Sequence, residues 1–341
     1  MTMTPGKLWG MRRLADDGGF FRMTALDQRP PIMNPIREKR RTPEAPDQDV
    51  AAVKRVIAQN LALGSSALLV DPIWAYGACI DVIPPSRGVV ITLEDHRFED
   101  TPGGRRSANI PDWSVEKIRR IGGDAVKVLA WYRPDAAPDI IEHQKAYVRA
   151  IGEDCRRYDI PFVFELLVYP FANAASDYEE DQKKHPELVI ESVRTFAAPE
   201  YGVDIFKLES PIPARSVPEF GGTGSSEVQV LFDELNEAAG RPWVMLSAGA
   251  SPADFKRVLH HAFKAGASGF LAGRAIWLEA FRHFPDLAAM GAELAARGTA
   301  YLDDLQALTA AAATPFHEII DSKAVMRHTG FDLPQVYGGM K

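Results

Sequence analysis

Four charged residues interrupt or close apolar runs of this chain. Asp27 follows Phe-Arg-Met-Thr-Ala-Leu, Lys127 sits inside Ala-Val-Lys-Val-Leu, Glu165 inside Phe-Val-Phe-Glu-Leu-Leu, and Lys207 inside Asp-Ile-Phe-Lys-Leu. A charge in an apolar strand is costly to bury unless it is paired, so these positions are the first places to look for chemistry. Two amines and two carboxylates make a proton-handling set. A lysine that loses its proton can condense with a ketone to an imine. Burial and a neighbouring cation both favour the neutral form of a lysine, and Lys127 is the neighbour available to Lys207. Glu165 would then shuttle protons. The plainer reading of the same four residues is a buried ion-pair network that fills space without acting.

A second pattern lies downstream. Leu-Ser-Ala-Gly-Ala-Ser-Pro-Ala-Asp (246–254) runs from an apolar strand through small residues into a helix, with Ser251 as N-cap, Pro252 at the first helical position and Asp254 at the third. Ser247 and Gly249 lie in that turn, and the next apolar run ends in Gly273-Arg274. Small residues expose backbone N–H groups, and with a helix start and a guanidinium they suit a phosphate. Each glycine alone reads equally well as a tight turn. Arg37, Arg87 and Arg97 read as solvated surface residues, and so does Arg29 when taken in isolation.

Eight short apolar runs rich in β-branched residues must position these groups: 21–26, 66–71, 88–93, 124–130, 161–167, 203–209, 242–247 and 268–273. Segments at helical spacing separate them, among them Ala51–Leu63, Ile140–Tyr158, Pro186–Pro199, Ser225–Ala239 and Pro252–Gly266. Eight such alternations predict an α/β protein, a single (β/α)8 TIM barrel over 1–341 with a core of about 21–290 and an extension of about 291–341. An open doubly wound sheet would need a Gly-rich turn after the first strand, and there is none. Strand parity places Lys207 with Val203 and Ile205, and Glu165 with Val163, toward the lumen. Pro30–Asp49 and Glu94–Asn109 read as loop insertions at the catalytic face, the second carrying Arg97, Arg105 and Arg106. The tail from about Pro315 reads as an arm packed on the barrel or on a neighbouring subunit of a homo-oligomer.

The formal charge of −7 argues against a general nucleic-acid binder, and no apolar run is long enough to span a membrane, so a cytoplasmic setting is expected. Cys79 and Cys155 lack metal-type spacing and read as ordinary reduced thiols. A metal-dependent enzyme would want clustered His or carboxylate ligands, and of the eight histidines only His96 follows closely on a predicted strand.

The strand-end motifs together resemble a known family. Ala25-Leu26-Asp27-Gln28-Arg29, Asp124-Ala125-Val126-Lys127-Val128-Leu129, Phe164-Glu165-Leu166, Asp204-Ile205-Phe206-Lys207-Leu208-Glu209, Leu246-Ser247-Ala248-Gly249 and Gly273-Arg274-Ala275 are similar to the tagatose 1,6-bisphosphate aldolases and the related sulfofructose-phosphate aldolases. The resemblance implies a class I enzyme that needs no cofactor or metal and takes a small sugar phosphate. In it Lys207 is the Schiff-base lysine, Glu165 the acid/base, and Asp27 and Lys127 orient and polarise around them. Gln28 and Arg29 would hold substrate, while Ser247, Gly249, Gly273 and Arg274 would take the 1-phosphate. Tagatose 1,6-bisphosphate or a close epimer is the expected substrate, with 6-deoxy-6-sulfofructose 1-phosphate as the alternative. A non-catalytic sugar-phosphate sensor on the same barrel is the reading from another class.

Overall fold

The computed structural model describes residues 3–171, 178–320 and 328–337. Ten strands occur in it: β1 (Phe21–Ala25), β2 (Ala67–Val70), β3 (Gly88–Thr92), β4 (Glu99–Thr101), β5 (Gly104–Arg106), β6 (Ala125–Trp131), β7 (Phe162–Leu167), β8 (Ile205–Leu208), β9 (Trp243–Met245) and β10 (Gly269–Ala272). Eight of them close into a parallel barrel in the order β1-β10-β9-β8-β7-β6-β3-β2, while β4 and β5 form a separate antiparallel pair. All eight expected strands are present within a residue or two of the expected bounds, and the (β/α)8 fold follows.

Alternation along each strand sorts the side chains. Met23, Ala67, Leu69, Val90, Ala125, Val163, Ile205, Val244 and Leu271 pack together inside the barrel. Their neighbours in sequence, such as Leu68, Ile91, Val126, Phe164, Phe206, Trp243 and Phe270, pack outward on the helices. Each fully buried side chain of this size contributes about 1.5–3 kcal/mol of burial free energy. Moving two residues along the strand from Ala125, Val163 and Ile205 gives Lys127, Glu165 and Lys207, so the charged layer rests directly on an apolar one. The expected parity of Lys207 and Glu165 is what the structure shows.

The base of the barrel is closed by the helix Pro5–Leu14 and the segment around Phe316. Met11 and Leu14 of the helix Pro5–Leu14 join the interior cluster, as does Phe316, which stacks on Phe21 at 5.3 Å between ring centroids. Lys7 Nζ donates to Asp204 Oδ2 at 2.7 Å and Arg13 Nε to Asp124 Oδ1 at 3.2 Å, just ahead of β8 and β6. From the tail, Thr314 N–H reaches the Ala267 carbonyl and Phe316 N–H the Gly19 carbonyl, each at 3.0 Å. The tail's expected role as an arm on the barrel is seen at Pro315–Ile319, whereas 321–327 and 338–341 lie outside the described residues.

The structure adds detail to the expected insertions and moves two helix starts. Within the segment from Pro30, Pro30–Arg40 is a helix with Pro35 inside it, and the next helix, Asp47–Leu61, starts before the expected Ala51. The Glu94–Asn109 segment contains the β4–β5 hairpin. The helix expected from Pro186 begins at Tyr178 and carries Pro186 in its interior. Among the described residues no helix is long and apolar enough to cross a membrane.

Candidate active site

The C-terminal ends of the barrel strands open into a cavity of about 460 Å³ lined by Asp27, Gln28, Arg29, Glu94, Lys127, Glu165, Lys207, Glu209, Ser247, Gly273 and Arg274. Nine of the ten residues expected from sequence at the site line it, and Gly249 lies beside it. Register explains the central group. Glu165 and Lys207 are cross-strand partners on β7 and β8, and Leu129, two beyond Lys127, pairs with Glu165.

Lys127 is the hub. Its ammonium lies 2.9 Å from Asp27 Oδ2, 2.7 Å from Glu94 Oε1 and 2.7 Å from Glu165 Oε2. The same Glu165 oxygen accepts from Lys207 Nζ at 2.8 Å. Arg29 donates to the Asp27 carbonyl at 2.8 Å and to the Glu94 carbonyl at 3.2 Å, and stands 3.6 Å from Glu94 Oε1. Three carboxylates thus face two lysines and an arginine in one buried group, the mutual pairing that makes such burial tolerable. Arg29 is 5% exposed, so its isolated reading as a solvated surface residue is wrong. Arg97 is exposed and held by Asp95, and Arg87 lies ahead of β3 at the opposite end, donating to the Leu63 carbonyl.

The carboxylates are tuned differently. Burial would raise Asp27, but Lys127, Lys207 and Arg29 outweigh it and hold the group well below the usual carboxylate range. Glu165 is likewise lowered, Lys127 and Lys207 overcoming burial. For Glu94 burial prevails over Lys127 and Arg29, with Asp27 adding to it, and the pKa rises. Lys127 loses by burial and gains more from Asp27, Glu165 and Glu94, so it stays a firm cation. Acid and base sites are recognised by such divergence between neighbours. One oxygen on each of Asp27 and Glu94 is buried without a hydrogen-bond partner, as is Gln28 Oε1, three acceptors available to a hydroxylated ligand.

Beyond the charged layer lies a tight turn of small residues with a guanidinium against it. Ala250 N–H closes a turn on the Ser247 carbonyl at 2.7 Å, with Ala248 and Gly249 both left-handed at φ 47° and 83°. A Cβ on Gly249 would come within 2.9 Å of the Arg274 guanidinium, which therefore sits directly against that glycine. Arg274 opens the helix Arg274–Phe281. Its side chain has no hydrogen-bond or ion-pair partner among the described residues. Ser251 caps the helix Pro252–Ala265 by accepting from Asp254 N–H, as its sequence signature required.

Glu94 and Glu209 are cavity residues to which sequence reasoning gave no role. Glu209 Oε1 accepts from Val168 N–H at 2.7 Å, and its carboxyl is pushed up to about 8 by burial and the nearby Glu165. The outer wall is aromatic: Phe98 and Trp131 line it, and Arg105 of the β4–β5 hairpin packs between Phe98, Trp131 and Tyr169 at 4.4–4.7 Å. Cys79 and Cys155 are buried away from the cavity, and burial pushes the Cys79 thiol up to about 12.

Solved structures share this architecture. Fructose-bisphosphate aldolase from Plasmodium falciparum aligns with a TM-score of 0.63 at 12% identity, over 89% of this chain and 94% of that one. An archaeal fructose-1,6-bisphosphate aldolase with its catalytic Lys bound to a carbinolamine aligns at 0.57 with 15% identity, over 88% and 98%. These likenesses concern the fold. The sequence pattern of the DeoC/LacD family aldolases matches residues 25–279, a span that holds every charged residue of the cavity. The chain is an aldolase, a carbon–carbon lyase built on a (β/α)8 barrel. Within that class it belongs to the DeoC/LacD family. Among its relatives, tagatose 1,6-diphosphate aldolase 1 of Enterococcus faecalis is 32% identical over 79% of this chain and 83% of the relative. Aldolase 2 of the same organism is 30% identical over 93% and 97%, and the Listeria monocytogenes enzyme 32% over 81% and 83%.

Proposed function

We propose that this aldolase cleaves a ketose 1-phosphate between C3 and C4 through an imine on Lys207, without a metal ion. The observation that carries the reading is one oxygen, Glu165 Oε2, set 2.8 Å from Lys207 Nζ and 2.7 Å from Lys127 Nζ. That oxygen can take a proton from Lys207, and Lys127 holds it in place. The neutral amine adds to C2 to give a carbinolamine; Glu165 returns the proton to the departing hydroxyl, water leaves and the iminium forms. Glu165, again a carboxylate, accepts the C4 hydroxyl proton as the C3–C4 pair moves into the enamine and the aldehyde departs. Protonation at C3 and hydrolysis release dihydroxyacetone phosphate and restore Lys207.

Asp27 and Glu94 fix Lys127 from the other side, so the cation that polarises the site is an ammonium. The three carboxylates that meet at this point, Asp27, Glu94 and Glu165, are directed at the Lys127 ammonium. The 1-phosphate occupies the cradle of Ser247, Gly249, Gly273 and Arg274, and Gln28 and Arg29 hold the sugar. The relatives named tagatose 1,6-diphosphate aldolase support tagatose 1,6-bisphosphate or a close epimer as substrate, giving dihydroxyacetone phosphate and glyceraldehyde 3-phosphate.

The test is borohydride reduction in the presence of dihydroxyacetone phosphate, followed by peptide mass spectrometry. A three-carbon adduct on Lys207 is expected, and on no other lysine. Its absence, or activity abolished by exhaustive chelation and restored by a divalent ion, would overturn the mechanism. Ranking kcat/KM for tagatose and fructose 1,6-bisphosphates and a 6-sulfonate analogue then decides the substrate.

A further inference from the structure

We propose that Lys54, which lies outside the barrel and is absent from the cavity wall, is a positioning residue for the reaction: it fixes the Asp27–Arg29 segment and thereby aims the Asp27 carboxylate at Lys127. The inference rests on the imine mechanism above. The helix Asp47–Leu61 buries Val50, Val53, Lys54, Ile57, Ala58 and Leu61, an apolar stripe at helical spacing in which one position is a lysine. Lys54 has no exposed surface. Burying an ammonium in such a stripe is unfavourable unless all its donors are satisfied, and here they are. Its three N–H bonds have three acceptors: the Leu26 carbonyl at 2.6 Å, the Gln28 carbonyl at 2.9 Å and Oδ2 of Asp71.

These two carbonyls matter because of where the sheet stops. β1 ends at Ala25, and its last rung is Leu26 N–H to the Leu69 carbonyl at 2.7 Å. Residues 26–28 continue without regular structure, so barrel pairing no longer sets the direction of their peptide planes. Lys54 takes the carbonyls of Leu26 and Gln28, and Arg29 takes that of Asp27 between them at 2.8 Å. Three consecutive peptide planes around Asp27 are thus fixed by two cations. The brace is anchored in turn. Asp71 Oδ1 accepts from the N–H groups of Ile73 at 3.0 Å and Trp74 at 2.8 Å. The Trp74 indole donates to Asp47 Oδ1 at 2.7 Å, at the start of the helix that carries Lys54.

The test uses two variants of the full chain, because Lys54→Met alone leaves Asp71 buried without its partner. Lys54→Met and Lys54→Met/Asp71→Asn are each made alone and with Asp27→Asn, and kcat and KM for tagatose 1,6-bisphosphate cleavage are measured beside borohydride trapping of dihydroxyacetone phosphate. The expected result is a folded double variant that still forms the Lys207 adduct, with kcat lowered about tenfold or more and KM within about threefold. In the Asp27→Asn background the further loss from the Lys54 change should shrink to about twofold or less, since both act through one carboxylate. A folded variant with unchanged kcat, or losses that multiply, would overturn the proposal. Failure of the parent chain to form the adduct would instead overturn the imine reading beneath it.

Discussion

Two residues beyond Lys207, burial pushes the Glu209 carboxyl up to about 8 from an ordinary 4.5, Glu165 adding to the effect and the Val168 N–H opposing it. Across that interval the folded chain keeps a proton that the unfolded chain has released, so the stabilisation is complete below about pH 4.5 and is lost as pH rises through about 8. Glu209→Gln keeps the acceptor for Val168 and cannot ionise. The variant should match the parent near pH 4 and exceed it at pH 9 by an amount on the order of a few kcal/mol. Urea unfolding at the two pH values measures this, and equal dependence in both proteins would contradict it. Asp27, Lys127, Glu165 and Lys207 were legible in the sequence because a charge inside an apolar run announces itself. Glu94 carried the same signal as Asp27, a carboxylate immediately after a six-residue apolar run, but the polar stretch that follows made it look like the start of an insertion. Lys54 was readable as the single lysine on the apolar stripe of its helix. What it binds was not, because two of its three partners are backbone carbonyls more than twenty residues away, and periodicity carries no information on those.

Loops after β9 and β10 reach the cavity with almost no side chain of their own, which makes the space above Gly273 a property of the element. A Cβ there would stand 2.7 Å from the Ala25 carbonyl, 2.7 Å from Gln28 Nε2 and 3.0 Å from Trp277 Nε1. The carbonyl already accepts from that indole at 3.0 Å, so it has little freedom to yield. Gly273→Ala should cost about 1–3 kcal/mol of stability and raise KM for the sugar phosphate more than it lowers kcat, by displacing Gln28 and Arg274 together. Steady-state kinetics beside thermal unfolding would test the pairing; a normal KM would show that the cradle tolerates the methyl. The barrel strands were legible as eight apolar runs, whereas the β4–β5 hairpin was not. Glu99-Asp-Thr and Gly-Arg-Arg have no apolar alternation, and the hairpin is held by Arg105 among three aromatic rings that come from separate segments of the chain.

At the scale of the molecule, the floor of the barrel is a joint between the helix Pro5–Leu14 and the tail residue Phe316, which is 4% exposed. Phe316→Ala removes a ring from the closed apolar interior and should destabilise the fold by about 3–5 kcal/mol. Because the charged layer is carried on the opposite ends of the strands, kcat should stay within about twofold of the parent at temperatures where the variant is folded. Denaturant unfolding paired with activity would reveal a floor that also serves the chemistry, if kcat fell as steeply as stability. The order of synthesis adds a further consequence. A ribosome delivers β10 and every charged side chain of the cavity before it delivers Phe316, so a nascent chain can hold all eight staves of the barrel while its floor has only the Met11 and Leu14 side of its seal. Closure of the floor therefore follows the emergence of Phe316, 44 residues beyond the end of β10 at Ala272, and the seal of the vessel is made only after its last stave is out.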